Sequence, residues 1–85
     1  MGGTFVAKQF FMNEIRLPEL RELGQRLTSL RKKRGMSMEK VAYEASISKG
    51  NLSDIEAGRR NPRYCTLRSI AHALGLTTSE LIQGL

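Results

Sequence analysis

The sequence predicts an all-α protein: a compact five-helix domain over residues 18–85, preceded by an N-terminal arm over residues 1–17. Three observations predict this class. Leucines recur at helical steps of three and four between residues 20 and 30. Serine, threonine and glycine recur at the spacing of helix starts and stops. No strand-like alternation of apolar and polar residues follows residue 18.

Size and charge limit the function. Eighty-five residues form one small domain with little room for a deep substrate cleft. Fourteen Lys and Arg against eight acids give a net charge of +6, which favours an anionic partner such as nucleic acid, an acidic protein or a membrane surface. No apolar run approaches the roughly 18 residues that span a bilayer, and the N-terminus has no secretory pattern. We therefore expect a cytoplasmic protein that does not act at a membrane.

The N-terminal arm differs in composition from the rest of the chain. All three phenylalanines lie in it, at Phe5, Phe10 and Phe11. Pro18 follows, and proline favours the first turn of a helix while disfavouring helix just before it. The arm is expected either to pack on the domain's own core, to exchange between subunits or to bind another protein.

The first helix is predicted over residues 18–34. Its leucine stripe is amphipathic, acids lie in its first turns and basic residues in its last turn, and Gly35 is a suitable stop. Lys32 and Lys33 are explained by the helix C-terminus rather than by nucleic-acid binding.

Four shorter helices follow. Ser37 is the expected N-cap of a helix over 38–45, and Ser48 that of a helix over 49–57 stopped by Gly58. A loop over 59–62 precedes a helix over 64–74. Thr77 and Glu80 have capping-box spacing before a last short helix.

The second and third helices form the most informative part of the sequence. Their apolar residues are spaced so that one helix crosses the other and both inner faces are buried. The third helix keeps a polar outer face and ends beside Arg59 and Arg60. A small helix held out from a basic surface is how many proteins enter the DNA major groove.

With five motifs in this order and spacing, the sequence resembles the phage-repressor and Cro type of helix-turn-helix protein, the XRE family, over about residues 20–83. The motifs are Leu23–Arg31, Gly35–Ser37, Val41–Ala42, Leu52–Pro62 and Leu67–Gly75. The resemblance implies a lambda-repressor-like fold. One position departs from the family: Ser46 stands where the turn usually has glycine, and a positive φ there costs roughly 1 kcal/mol.

The resemblance implies base readout from the outer face of the third helix, at Lys49, Gly50 and Asp54, with Asn51 and Ser53 as secondary candidates. Lys49 can donate to guanine O6 and N7, and Gly50 permits close approach of the backbone. Asp54 has two open roles: it accepts from cytosine N4, or it is a solvated acid near Arg59.

Phosphate contacts are expected from the loop before the fourth helix, namely Arg59, Arg60, Asn61, Arg63 and the Tyr64 hydroxyl. Met38 stands where many relatives have glutamine, which reduces that contact to a backbone N–H, and Lys40 and Tyr43 are possible replacements. The alternative for the arginines is ordinary solubilising charge.

Arg31 lies on the leucine face of the first helix, and its family counterpart pairs with the glutamate that matches Glu56. The resemblance therefore implies a structural ion pair between Arg31 and Glu56.

No residue set suggests catalysis. Cys65 and His72 are the only residues of their types, and neither has a partner at metal-ligand or catalytic spacing. We predict no enzyme activity, no metal and no cofactor.

The leading hypothesis is a sequence-specific regulator that binds double-stranded DNA as a homodimer on an inverted-repeat operator. Two apolar surfaces could form the dimer: the N-terminal arm, or the last helix with Leu76, Leu81, Ile82 and Leu85. The last helix is favoured because dimeric relatives often pair through that end. The alternative is an antitoxin-type interaction module that covers a toxin and binds DNA secondarily.

Overall fold

The computed structural model describes residues 17–85 and contains five α-helices and no strand within that range. The helices are α1 (Pro18–Lys33), α2 (Met38–Ala45), α3 (Lys49–Glu56), α4 (Tyr64–Ala73) and α5 (Thr78–Ile82). The all-α prediction is confirmed. The predictions for Phe5, Phe10 and Phe11 lie outside the described residues. Within residues 17–85, no helix combines the length and the apolar character that crossing a bilayer requires.

Local capping signals determine where the helices begin. The Ser37 hydroxyl accepts from the Lys40 N–H at 3.1 Å, and the Ser48 hydroxyl accepts from the Asn51 N–H at 3.0 Å. Thr77 and Glu80 form a reciprocal capping box. The Thr77 N–H bound to the Glu80 carboxylate lowers the pKa of that acid.

Three predicted helices end one residue too late. Arg34, Ala57 and Leu74 are the C-cap residues of α1, α3 and α4, with ψ angles of 4°, −2° and 2°. Each still donates its N–H to the preceding turn, but its ψ near 0° differs from the roughly −42° of a regular α-helix. Gly35, Gly58 and Gly75 follow with positive φ and reverse the chain.

The core forms where the helices cross. α2 packs on α3 and α4, while α1 packs on α3 and α5. Small alanines let the short helices approach one another closely. The core comprises Leu27, Val41, Ala42, Ala45, Leu52, Ile55, Ile70, Ala71, Leu74 and Leu81.

The turn between α2 and α3 has the strained conformation expected from the sequence. Ser46 adopts φ 59° and ψ 40°, the left-handed region, and is the one described non-glycine residue with positive φ. The Ile47 N–H donates to the Ala42 carbonyl at 3.0 Å and closes the turn. Burial of the facing sides of α2 and α3 offsets the roughly 1 kcal/mol cost of this conformation.

α1 and α3 are joined by a buried polar network. Arg31 donates from Nε to Glu56 Oε2 at 2.8 Å and from Nη2 to Glu56 Oε1 at 3.1 Å. Arg31 also donates to the Met36 carbonyl at 3.0 Å, and the Thr28 hydroxyl lies 2.9 Å from Glu56 Oε1. The hydrogen bond to Glu56 raises the pKa of Arg31 despite its desolvation. The Arg31–Glu56 pair implied by the resemblance is therefore present.

The prediction that Leu81 lies on a dimer surface is wrong. Its side chain is fully buried in the core, whereas Ile82 and Leu85 are 39% and 51% exposed. The Arg26 guanidinium donates to the Leu81 carbonyl at 3.1 Å, which helps to fix α5 against α1. This docking turns Leu81 inward and leaves the next apolar residues at the surface.

Candidate nucleic-acid interface

α3 has one buried and one open face. Leu52 and Ile55 point into the core, while Lys49 and Gly50 are exposed. Ser53 and Asp54 are half-buried on the side away from the core. The first turn of α3 therefore presents its side chains and backbone to solvent.

The Lys49 side chain is held across the turn by an acid that the sequence analysis did not select. Its Nζ lies 2.9 Å from Glu39 Oε2 on α2, and both side chains are more than half exposed. The hydrogen bond from Lys49 lowers the pKa of Glu39. Ten residues separate the two, and only the crossing of α2 and α3 brings them together. An ammonium has three donors, so this pairing leaves others for a base edge.

Gly50 lies in open space. A Cβ added there would have no atom of another part of the fold within 4 Å, and its φ is not in the positive region. Neither packing nor backbone conformation therefore requires glycine. The small residue keeps the α3 backbone accessible at the centre of the open face.

Asp54 connects α3 to the following loop. Its Oδ1 accepts from Arg59 Nε at 3.1 Å and from Arg59 Nη2 at 3.0 Å, and its Oδ2 lies 3.5 Å from Arg60 Nη2. The hydrogen bond from Arg59 lowers the pKa of Asp54. This geometry matches the alternative in which Asp54 is a helix-face acid near Arg59. Contact with cytosine N4 would require the carboxylate to exchange one of these partners.

Four of the sequence-selected residues line one surface cleft. The cleft has a volume of about 290 Å³ and lies between the first turn of α3 and the start of α4. Thr66 is a lining residue that the sequence analysis missed. The lining comprises Asn51, Arg60, Asn61, Pro62, Arg63 and Thr66. Two guanidinium groups and several polar side chains make this cleft suited to an anionic group.

Other sequence-selected residues lie on α2 and at the start of α4. Met38 is half-buried against the core, and its thioether offers no donor to a phosphate. Lys40 pairs with Glu44 at 3.3 Å. Tyr43 and Tyr64 are 84% and 65% exposed, which leaves both phenol groups accessible.

Cys65 and His72 lie on the outer side of α4. Both are exposed and border a shallow groove with Arg68 and Ser69. Among residues 17–85 no group of His, Cys, Asp and Glu has the arrangement of a metal site.

Comparison with known proteins identifies the family. The family model described as a helix-turn-helix domain matches residues 24–85. The chain is 43% identical over 63 residues to the HTH-type transcriptional regulator DdrOP3 of Deinococcus deserti, covering 74% of this chain and 49% of that protein. It is 38% identical over 60 residues to the immunity repressor protein of Bacillus phage phi105, covering 71% and 42% respectively. The chain thus spans half or less of the length of these two relatives.

A solved structure shares the arrangement of the helices. The restriction-modification controller protein C.AhdI of Aeromonas hydrophila superposes with a TM-score of 0.76 and 30% sequence identity. The match covers 78% of this chain and all of that one. The chain belongs to the phage-repressor and Cro type (XRE) of the helix-turn-helix family of DNA-binding transcriptional regulators.

Proposed function

We propose that this chain binds double-stranded DNA sequence-specifically by placing α3 in the major groove, and that it regulates transcription by occupying an operator. The observation that carries the proposal is the open first turn of α3, at Lys49 and Gly50, with an arginine-rich loop beside it. A helix N-terminus that points outward beside basic side chains suits base edges flanked by phosphates.

The loop supplies the sequence-independent part of this binding. Arg59, Arg60 and Arg63 are exposed, and backbone N–H groups at the start of α4 are available to phosphates. If a dimer neutralises roughly eight phosphates, log K falls with log salt with a slope of about −7.

Salt titration tests this role. Binding of a selected duplex and of an unrelated duplex is measured by fluorescence anisotropy at several salt concentrations. We expect a steep slope for both duplexes and tighter binding of the selected one. Failure to bind any duplex at low salt would contradict the proposal and favour the antitoxin-type alternative.

We further propose that the protein acts as a homodimer on an inverted repeat. One recognition helix reads only a few base pairs, which gives too little specificity in a genome. A two-fold pair doubles the site and places its half-sites about one turn, roughly 34 Å, apart. At the C-terminal end, the apolar side chains available for pairing are Ile82 and Leu85, together with the half-buried Leu76.

Light scattering tests this surface. Leu85→Asp introduces a charge where the side chain is half exposed and outside the core, so it leaves the fold intact. Gln83→Asp, an exposed neighbour, is the matched control. We expect Leu85→Asp to be monomeric and Gln83→Asp to remain dimeric. A Leu85→Asp protein that remains dimeric would move the interface elsewhere.

A further inference from the structure

A buried acceptor and an exposed guanidinium share the cleft between α3 and α4. The side-chain oxygen of Asn51 is buried and has no hydrogen-bond donor. The Arg63 guanidinium makes no hydrogen bond or ion pair with any residue in the part of the chain that the structure describes. Both side chains line the same cleft.

A buried acceptor without a donor is unfavourable, and native proteins rarely leave one unmatched. The backbone N–H of Asn51 cannot serve as the donor, because it is already bound to the Ser48 hydroxyl at 3.0 Å. The side-chain oxygen is the buried polar atom of this residue that still lacks a partner. Because Asn51 lines the cleft, a donor from the cleft wall is the natural partner.

Of the two arginines in the cleft, Arg63 is the one with its donors uncommitted. Arg60 Nη2 lies 3.5 Å from Asp54 Oδ2, so part of its guanidinium is already engaged by a carboxylate. Arg63 is the N-cap residue of α4 and does not cap that helix with its side chain. A guanidinium has five N–H donors in a planar fork and can bridge two acceptors at once.

We propose that Asn51 is a positioning residue for phosphate binding rather than a reader of bases. When a phosphodiester enters the cleft, Arg63 turns inward, donates one N–H to the Asn51 amide oxygen and donates the others to the phosphate. The amide oxygen thereby fixes the guanidinium plane. This inference rests on the proposed DNA-binding function and removes Asn51 from the set of base-reading candidates.

A double-mutant cycle on duplex affinity tests the coupling. Asn51→Leu keeps the size of the side chain but removes the acceptor, and Asn51→Asp keeps an acceptor. We expect Asn51→Leu to weaken selected and unrelated duplexes by a similar factor, about fivefold to tenfold, because a phosphate contact carries no sequence information. In an Arg63→Ala background the same substitution should have almost no effect. Asn51→Asp should retain its coupling to Arg63.

Two results would overturn the inference. One is an Asn51→Leu protein whose preferred base changes at one operator position. The other is an Asn51→Leu effect that is as large with Arg63→Ala as without it. Either result, obtained on a duplex that binds, leaves the DNA-binding proposal intact.

A second measurement needs no duplex. Inorganic phosphate is added to labelled protein, and NMR follows the Arg63 Nε–H and the Asn51 side-chain amide. We expect both signals to shift together in the wild type, and the Asn51 signal to remain unchanged in Arg63→Ala. A shift of Arg63 without any shift of Asn51 would contradict the proposed bridge.

Discussion

Asp54 on α3 accepts two hydrogen bonds from Arg59 of the following loop, at 3.0 and 3.1 Å. The same carboxylate lies 3.5 Å from Arg60. One acid on the proposed reading helix thus holds two of the proposed phosphate-binding side chains. In the proposed complex, duplex phosphates compete with Asp54 for these arginines. We expect this competition to weaken binding to unrelated duplexes, in which phosphate contacts are not supplemented by base contacts.

Asp54→Asn should therefore strengthen non-specific binding. Removing one negative charge frees Arg59 and Arg60, so affinity for an unrelated duplex rises by about threefold to tenfold. Anisotropy titrations on an unrelated duplex measure this. Glu22→Gln, which removes an exposed acid on α1 outside the proposed interface, is the control for charge alone. Equal gains in the two variants would show that the pairing has no specific role.

Glu56→Ala should destabilise the fold. Glu56 and Arg31 are 5% and 10% exposed. Removing the carboxylate leaves a buried guanidinium whose remaining hydrogen bond among residues 17–85 is to the Met36 carbonyl. Loss of one partner of a buried pair costs about 3 kcal/mol. Urea denaturation measures the change, with the exposed Glu19→Ala as control. An unchanged free energy of unfolding would mean that the network adds nothing.

Substitution by alanine should have opposite effects on the free energy of unfolding at Gly24 and Gly50, the two glycines within α1–α5. Gly24 on α1 faces the backbone of α3, and an added Cβ would overlap the Glu56 carbonyl. Gly24→Ala must push α1 and α3 apart, at a cost of about 2–3 kcal/mol. Urea denaturation provides the measurement. A Gly24→Ala protein as stable as the wild type would contradict the close approach of these helices.

Gly50→Ala should stabilise the free protein. Space is open at this position, and replacing glycine in a helix contributes about 0.5 kcal/mol. The added methyl group should instead weaken binding to the selected duplex by about tenfold or more, because it keeps the backbone away from the base edges. Thermal melting and anisotropy are measured on the same variant. A stabilised protein with full affinity would show that the backbone does not approach the bases closely.

The helices and their starts were predictable because their signals are local. Ser37, Ser48 and Thr77 each cap a helix with an acceptor in the adjacent sequence. The helix ends were less exact, since C-cap residues such as Arg34 keep the hydrogen bond but lose the helical ψ angle. Within the described residues, fold class followed from these signals together with the apolar spacing.

Contacts between elements were harder to predict. The position of Leu81 in the core depends on how a five-residue helix docks, and such a helix is too short for its apolar period to fix a face. The Glu39–Lys49 pair exists only once α2 and α3 cross. The two roles left open for Asp54, contact with cytosine N4 and pairing with Arg59, differ only in side-chain geometry. The sequence alone does not determine that geometry. The Arg31–Glu56 pair was predicted from the family resemblance and not from the spacing of the two residues.

Selection of bound duplexes from a random pool, with wild type and Lys49→Ala in parallel, tests most directly whether α3 reads sequence in the major groove. We predict an inverted repeat for the wild type with a guanine in each half-site. Lys49→Ala should lose preference at that guanine, at a cost of roughly 1–3 kcal/mol, and keep preference elsewhere. Arg63→Ala should weaken all sequences about equally. An identical preferred sequence for wild type and Lys49→Ala would contradict the assignment of α3 as the reading helix through Lys49.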